Sequence, residues 1–253
     1  MTFAVDGLTV EIHERAEVLG DRAATLFADA VRAVVDEHGE ARVLVGTGNA
    51  QLPFVRALAT KDIPWAAVTL FQIAEYVGLP LDHPATYGTW IQEHLVEPFQ
   101  PGIVHRLDGD AESPLAEAER YEALLREDPI DIVLLGIGEN AHIGLNEPHA
   151  AWFEDPRWVR VVALAEASRQ QEVGEGHFAV IDDVPARAIS VTVPGLLAGE
   201  KIIVNVPERR KAEAIAATLS APVGPAVPST ALRTHHDAIL LLEPESSNAP
   251  SQD

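Results

Sequence analysis

The chain contains no cysteine among its 253 residues, and its first twenty residues contain no long apolar run. The first absence excludes disulfide bonds, thiolate metal ligands and cysteine nucleophiles. The second, together with the carboxylates of Asp6, Glu11, Glu14 and Glu17, argues against a signal peptide or a membrane span. We therefore expect a cytoplasmic protein.

Basic residues are also scarce. The chain has 18 lysines and arginines against 39 aspartates and glutamates, which gives a formal net charge of -21. Such a protein repels nucleic acids and anionic membranes at long range, so we expect neither as a partner. A phosphorylated ligand would need a local pocket of positive charge. The four tryptophans are expected to pack in the interior rather than to stack on a ligand: Trp65, Trp90, Trp152 and Trp158.

Apolar residues make up 47% of the chain and follow a pattern typical of an α/β protein. Strands alternate with helices, which predicts a doubly wound, mostly parallel sheet with helices on both faces. We expect one domain over residues 1–245 and a disordered tail over 246–253. Strands are predicted at 3–13, 42–46, 65–73, 130–136, 188–193, 201–206 and 237–243, and helices at 15–38, 52–59, 84–99, 113–127 and 208–219.

Ligands of such sheets bind outside the carboxyl ends of the strands, so the loops at 46–51, 74–80 and 136–148 are candidates for a site. The first loop, GTGNAQ, follows a strand and opens a helix. Its backbone N–H groups can bind an anion, and Thr47 adds a hydroxyl. An ordinary strand-to-helix turn has the same features, so this loop alone does not identify a ligand.

The third loop, GIGENAHIGLNEP at 136–148, is unusually polar for a segment that follows a buried strand. It holds His142 and Glu147 within six residues, together with Glu139, Asn140 and Asn146. A histidine titrates near neutral pH and a nearby carboxylate can orient it, which favours proton transfer to and from a sugar ring oxygen. A solvated loop with a hydrogen-bonded histidine is the alternative interpretation.

The same segment resembles the signature of glucosamine-6-phosphate deaminases, also called isomerases. The resemblance extends to AEYVGLPLDHPATYGTWIQEHL at 74–95 and RVLVGTGNAQLPFVRAL at 42–58. It also covers ASRQ at 167–170, VTVPGLLAGEKIIVNV at 191–206 and VPSTALRTHHDAILLLEPES at 227–246. The resemblance implies a Rossmann-like fold shared with 6-phosphogluconolactonases, and a sugar 6-phosphate as the ligand.

The resemblance also implies roles for individual residues. Thr47, Gly48, Asn49 and Ala50 correspond to the phosphate-binding loop, and Arg169 and Lys211 to two cations that bind the phosphate. This agrees with the local positive pocket that an acidic protein needs for a phosphorylated ligand.

The chain departs from the family at two catalytic positions. Ala74 stands where the family has an aspartate that moves a proton between the sugar carbons C2 and C1, and Asn140 replaces a second aspartate beside the histidine. His142 and Glu147 remain, and Glu75 is the nearest carboxylate to the missing base. Consecutive residues near a strand end point to opposite sides, so Glu75 does not simply take over the role.

Three functions remain open on the sequence alone. The chain is a deaminase or isomerase with a relocated base, a hydrolase of 6-phosphogluconolactone type, or a sugar-phosphate sensor without catalysis. The candidate catalytic residues are His142, Glu147, Asn140 and Glu75. We expect no metal and no cofactor, because neither His235 and His236 nor the other histidines have the spacing of a metal site. A homo-oligomer is possible.

Overall fold

A computed structural model describes residues 1–247 of the chain. Within these residues the chain forms one sheet of eight strands and a second sheet of three. The strands are β1 Thr2–Val5, β2 Leu8–Ile12, β3 Ala41–Val45, β4 Val68–Gln72, β5 Ala74–Tyr76, β6 Ile103–His105, β7 Ile130–Leu135, β8 Val159–Ala163, β9 Arg187–Val191, β10 Gly199–Val206 and β11 Ala238–Leu242. The α-helices are α1 Ala16–His38, α2 Leu52–Leu58, α3 Tyr87–Ile91, α4 Glu97–Phe99, α5 Pro114–Leu125, α6 Glu166–Gly174, α7 Val193–Leu197, α8 Ala212–Ser220 and α9 Pro244–Ser247.

The eight-stranded sheet has the order β1-β2-β11-β10-β7-β3-β4-β6. All neighbouring pairs are parallel except β1 and β2, which form an antiparallel hairpin. The single strand predicted at 3–13 is wrong in this respect, because the chain turns at Asp6, whose φ is 52°. The mostly parallel sheet itself is confirmed.

Apolar side chains cover both faces of this sheet. In β3, Val43 and Val45 pack with Phe27 of α1 and Phe54 of α2, whereas Leu44 between them packs in a second cluster on the opposite face. Because side chains alternate along a strand, a strand covered on both faces must be apolar throughout. This explains why the continuous apolar runs predicted these strands correctly.

The three-stranded sheet, of order β5-β9-β8, is antiparallel and lies outside the main sheet. The strand predicted at 188–193 belongs here, as β9, so one of the predicted strands is not part of the parallel sheet. β5 follows β4 after a single residue, Ile73, and its backbone pairs with β9. The chain therefore passes from the main sheet to the small sheet at the carboxyl end of β4.

Most predicted helices are confirmed, with changes at their ends. α1 ends at Gly39, whose φ of 88° is the left-handed conformation of a C-cap and whose N–H donates to the carbonyl of Val35. The helix predicted at 84–99 consists of α3 and α4 joined by a π-helical turn over Gln92–Val96. α9 includes Ser246 and Ser247, which were predicted to begin the tail; the rest of the predicted tail, 248–253, lies outside the described residues.

The strand order reverses direction between β3 and β7. From β3 the chain proceeds outward to β4 and β6, and it then returns to β7 on the other side of β3. The loops that leave β3 and β7 at their carboxyl ends therefore run to opposite sides and leave a crevice between them, which is where ligands bind in doubly wound sheets.

Candidate active site

A cavity opens in this crevice. Its wall contains the loop after β3, the segment from Gly136 to Leu145 after β7, the start of β5, and residues of α6 and the turn after it.

The loop after β3 lies on one side of the cavity. Thr47, Gly48, Asn49 and Ala50 all line it, so the structure brings together the four residues predicted to bind a phosphate. Gly48 has a φ of 104°, which a residue with a side chain rarely adopts. A 3-10 turn over Asn49–Gln51 then leads into α2.

Of the two cations predicted to bind a phosphate, Lys211 lies on the cavity wall and Arg169 does not. Lys211 is buried, and its Nζ lies 3.1 Å from Oε1 of Glu175. An ammonium group has three protons, so this ion pair leaves Lys211 able to bind a ligand anion as well. Arg169 instead donates from Nε and Nη2 to the carbonyl oxygens of Val184 and Ile181.

The polar loop after β7 forms a closed network on the cavity wall. Asn140 donates from Nδ2 to Oε2 of Glu147 at 2.7 Å, and its Oδ1 lies 2.8 Å from Nδ1 of His142. Ser168, on α6, lies 3.2 Å from both Asn140 Nδ2 and His142 Nδ1. Glu147 is fully buried and also accepts from the N–H of Ala165. Three of the predicted catalytic residues, His142, Asn140 and Glu147, are therefore in one cluster.

This network assigns the proton of the imidazole. Because the Nδ2 amide of Asn140 donates to Glu147, its oxygen is left to accept the Nδ1 proton of His142. Nε2 then carries the lone pair, and it has no hydrogen-bond partner within residues 1–247. Burial lowers the pKa of His142, and the Glu147 carboxylate opposes this shift without cancelling it. His142 is therefore neutral at pH 7 and able to accept a proton at Nε2.

Gly138 fixes the position of the imidazole. A Cβ atom at residue 138 would lie 2.2 Å from Cε1 and 2.3 Å from Nε2 of His142, well inside contact distance. The glycine thus permits the ring to pack directly against the backbone of its own loop. Any side chain at this position displaces the ring from its contact with Asn140.

Ala74 and Glu75 have opposite environments. Ala74 lines the cavity, whereas Glu75 does not. The carboxylate of Glu75 is buried and accepts from the N–H groups of Tyr87 and Gly88 at the start of α3, and from Nε2 of Gln72. The structure therefore separates Glu75 from the other predicted catalytic residues, because alternation along β5 turns it away from them.

Comparison with known proteins now identifies the family. Residues 14–241 match the family of glucosamine-6-phosphate isomerases and 6-phosphogluconolactonases. The chain belongs to this family. A glucosamine-6-phosphate deaminase of Streptococcus pneumoniae serotype 4 is 34% identical over 211 residues, which cover 83% of this chain and 88% of that protein.

Solved structures of the same family share the fold. A monomeric glucosamine-6-phosphate deaminase superimposes with a TM-score of 0.86 at 29% identity, over 95% of this chain and 99% of that one. A 6-phosphogluconolactonase from Shewanella baltica gives a TM-score of 0.76 at 18% identity, over 95% and 97% of the two chains. The doubly wound fold that the sequence resemblance implied is confirmed.

Four residues of the cavity region were not among the predicted site residues: Ser168, Glu172, Glu175 and His177. Glu172, Glu175 and His177 line the cavity, and Ser168 bonds to His142 and Asn140. The predicted residues of the phosphate loop and of the His142 loop lie after strands, whereas these four lie, like Arg169, on α6 or just after it. The sequence EASRQQEVGEGH has the polar composition of a solvated helix, so only the tertiary structure reveals them.

Two further features of this family member can be stated for the part of the chain that the structure describes. Residues 1–247 contain no group of three or more histidines, cysteines, aspartates or glutamates that could hold a metal ion. Over the same residues, none of the helices has both the length and the apolar character needed to cross a bilayer.

Proposed function

We propose that this chain binds a sugar 6-phosphate in the cavity and carries out acid/base chemistry on it, as an aldose–ketose isomerase or deaminase of its family. The observation that carries the proposal is the network of Asn140, Glu147 and Ser168, which leaves Nε2 of His142 free on the cavity wall. Buried polar groups that lack hydrogen-bond partners cost folding free energy. The Nε2 lone pair of His142 has no partner in this network, so it is available to a ligand.

The phosphate is expected to bind between the loop after β3 and Lys211. The loop offers backbone N–H groups and the Thr47 hydroxyl, and Lys211 offers an ammonium group on the same wall. In a protein of net charge -21, a phosphate needs such a local cation, because the long-range field repels it. We propose that Thr47, Gly48, Asn49, Ala50 and Lys211 form this site.

His142 is expected to open the sugar ring. A neutral imidazole accepts the proton of the C1 hydroxyl at Nε2, the C1 carbonyl forms as the bond between C1 and the ring oxygen breaks, and the imidazolium returns the proton to that oxygen. The step needs one group that accepts and then donates a proton within hydrogen-bond distance of both oxygens. Asn140 and Glu147 keep Nδ1 protonated throughout, and so they keep Nε2 as the reacting atom.

The direct test is incubation with glucosamine 6-phosphate, followed by assay of ammonia and fructose 6-phosphate. We expect both products in equal amounts, and a loss of activity in His142→Ala. Absence of products at high enzyme concentration, with sugar-phosphate binding still measurable by calorimetry, would contradict catalysis and would leave a sugar-phosphate sensor as the function.

Lactone hydrolysis is a second candidate, and the methyl side chain of Ala74 favours it. Hydrolysis of 6-phosphogluconolactone needs a base that activates water, which neutral His142 provides, but it needs no carboxylate near C2. Rapid hydrolysis of this lactone by the wild type, lost in His142→Ala and without turnover of glucosamine 6-phosphate, would establish this function instead.

The cytoplasm is the compartment we propose, because a sugar 6-phosphate is an anion that does not cross a bilayer unaided. We also propose that binding needs neither a metal nor a cofactor, since the reaction is a proton transfer among groups that the chain itself supplies. Whether the protein forms homo-oligomers is testable by light scattering at micromolar concentration.

A further inference from the structure

The cavity face of β5 has no carboxylate of its own. Side chains alternate along a strand, so Ala74 and Tyr76 lie on one face of β5 and Glu75 lies on the other. Ala74 lines the cavity, and the hydroxyl of Tyr76 accepts a hydrogen bond of 2.8 Å from the hydroxyl of Tyr87, which also lines it. An aldose–ketose reaction needs a base at C2, and this face supplies only a methyl group and two phenols.

Helix α6 places a carboxylate against this same face. Glu172 lines the cavity and its side chain is only 12% exposed. Burial raises the pKa of Tyr76 and of Tyr87 well above the usual range, and the Glu172 carboxylate adds to the shift of both phenols. Glu172 therefore lies close to the two hydroxyl groups that border Ala74.

His177 orients the Glu172 carboxylate. Nδ1 of His177 lies 2.8 Å from Oε2 of Glu172, and the hydrogen bond that the imidazole donates to Glu172 raises the pKa of His177. The imidazole thus donates to one carboxylate oxygen, and the hydroxyl of Tyr76 is a second hydrogen-bond partner of the carboxylate. A carboxylate on the cavity wall that an imidazole and a phenol hold in place is oriented as a base must be.

Glu175 also lines the cavity but is differently engaged. Its Oε1 is paired with Nζ of Lys211 at 3.1 Å, and its backbone carbonyl accepts from the side chain of Asn49. These contacts place Glu175 at the proposed phosphate end of the cavity, one turn of chain away from Glu172. A sugar that binds with its phosphate at Lys211 therefore extends its carbons toward Glu172 and His142.

We propose that Glu172 is the catalytic base that transfers the proton between C2 and C1 of the open-chain sugar, and that His177 is its positioning residue. This inference rests on the proposed function as an isomerase or deaminase. Glu172 takes the role that the resemblance assigns to the aspartate replaced by Ala74, but it reaches the sugar from α6 rather than from β5.

The proton and electron balance is closed. Glu172 removes the C2 proton, the C–H electron pair becomes the C1=C2 double bond, and the carbonyl oxygen on C1 takes a proton from water. Protonated Glu172 then gives its proton to C1, using the C1=C2 pair, while a lone pair of the C2 substituent forms the new double bond to C2 and the substituent loses a proton to the hydroxide that the water left. C1 is reduced as C2 is oxidised, so no redox partner is needed. Water adds to the resulting imine when the substituent is an amine, and ammonia leaves.

The experiment measures the proton transfer itself. Wild type and variants are incubated with fructose 6-phosphate or tagatose 6-phosphate in D₂O, and loss of the C1 proton signal is followed by NMR. We expect exchange by the wild type, a fall of about 10²–10⁴-fold in Glu172→Gln, and a smaller fall in His177→Gln. Glu166→Gln is the matched control, because Glu166 lies exposed in the first turn of the same helix; it should exchange at the wild-type rate.

A rescue variant separates a catalytic role from a structural one. Ala74 lines open cavity, so Ala74→Asp in the Glu172→Gln background restores a carboxylate to the β5 face, and we expect it to recover at least tenfold of the lost exchange rate. Calorimetry with the same sugar phosphates should give similar dissociation constants for wild type and Glu172→Gln.

The outcomes distinguish the two proposals. Exchange by Glu172→Gln at the wild-type rate overturns the role of Glu172 while the proposed function stands. The role of Glu172 is also overturned if the wild type turns over glucosamine 6-phosphate and Glu172→Gln is inactive, binds the sugar phosphates more weakly, and is not rescued by Ala74→Asp. Glu172 would then have a structural role. A wild type without any exchange or turnover overturns the proposed function, and the role of Glu172 with it.

Discussion

Two histidines of the cavity have pKa values shifted in opposite directions. The pKa of His142 is lowered because burial outweighs the attraction of Glu147, whose Oε2 lies 3.7 Å from Nδ1 and is bridged to it by the amide of Asn140. The pKa of His177 is raised because its ring bonds directly to the carboxylate of Glu172, and this effect outweighs that of burial. Where an amide bridges histidine and carboxylate the pKa of the histidine is thus lowered, and where the two are in direct contact it is raised.

The difference assigns distinct tasks to the two walls. Under the proposed function, the wall after β7 provides a neutral imidazole that accepts and returns protons at sugar oxygens. In the proposal, the wall formed by α6 provides a carboxylate held by the imidazole of His177, which suits proton removal from carbon. The four predictions below test this division, and they run from the largest expected effect to the smallest.

Removal of the His142 imidazole should have the largest effect. We expect His142→Ala to lower kcat/KM by about 10²–10⁴-fold, because a positioned general acid/base contributes that much, while the dissociation constant for the sugar phosphate changes little. His149→Ala is the control, since His149 lies exposed in the same loop and does not line the cavity. Steady-state kinetics and calorimetry check this, and equal activity of the two variants would contradict the role of His142.

Loss of the Lys211 ammonium should weaken binding rather than chemistry. A hydrogen bond to a charged group contributes about 1.5–3 kcal/mol, so Lys211→Ala should raise the dissociation constant for a sugar 6-phosphate by roughly 10- to 150-fold. The effect should vanish for the corresponding sugar without a phosphate. Lys201→Ala, at a surface ion pair with Asp237, is the matched control. Unchanged affinity in Lys211→Ala would place the phosphate elsewhere.

Displacement of the His142 ring should have an intermediate effect. Gly138→Ala introduces a Cβ that meets the imidazole at 2.2 Å, whereas Gly136→Ala introduces one whose nearest neighbour, Nε2 of Gln51, lies 3.6 Å away. We expect the first variant to lose about 1–3 kcal/mol of unfolding free energy and much of its activity, because overpacking shifts side chains from their contacts. Urea unfolding and kinetics measure both losses. Equal behaviour of the two variants would show that the ring is free to move.

The sequence predicted one wall of the cavity much better than the other. His142, Asn140 and Glu147 lie within eight residues of one another in a loop whose polarity packing does not explain, so the sequence itself revealed them. The apolar runs at 130–136 and 201–206 likewise predicted β7 and β10, because strands buried on both faces leave no other pattern.

The α6 wall could not be predicted in the same way. Glu172 and His177 lie about thirty residues after His142 in a polar helix, and nothing local distinguishes them from solvated charges. The small sheet contains β5, which is only three residues long, and β9, whose sequence equally suits the main sheet. Alternation did predict that Glu75 turns away from Ala74, but which element replaces it depends on tertiary contacts.

Replacing the amide of Asn140, which lies between His142 and Glu147, should shift the pKa of His142 in the direction seen for His177. In the wild type the pKa of His142 lies below the ordinary value of 6.5, and under the proposed function its neutral form is the base. Its charged form is inactive, so kcat/KM should stay level as the pH falls toward 6.5 and should decline only below it. In Asn140→Asp a carboxylate bonds directly to Nδ1, which stabilises the imidazolium and raises its pKa.

The acid limb of the pH profile should therefore move to higher pH in Asn140→Asp, so that activity at pH 6 falls relative to activity at pH 8. The pKa shift of His142 is limited because the new carboxylate lies beside Glu147. In the wild type Nδ2 of Asn140 lies 2.7 Å from Oε2 of Glu147, so two carboxyl groups at these positions share a proton at low pH. NMR titration of the His142 ring protons measures the pKa directly. A wild-type value above 6.5, or an unmoved limb in Asn140→Asp, would mean that the amide does not set the charge of His142.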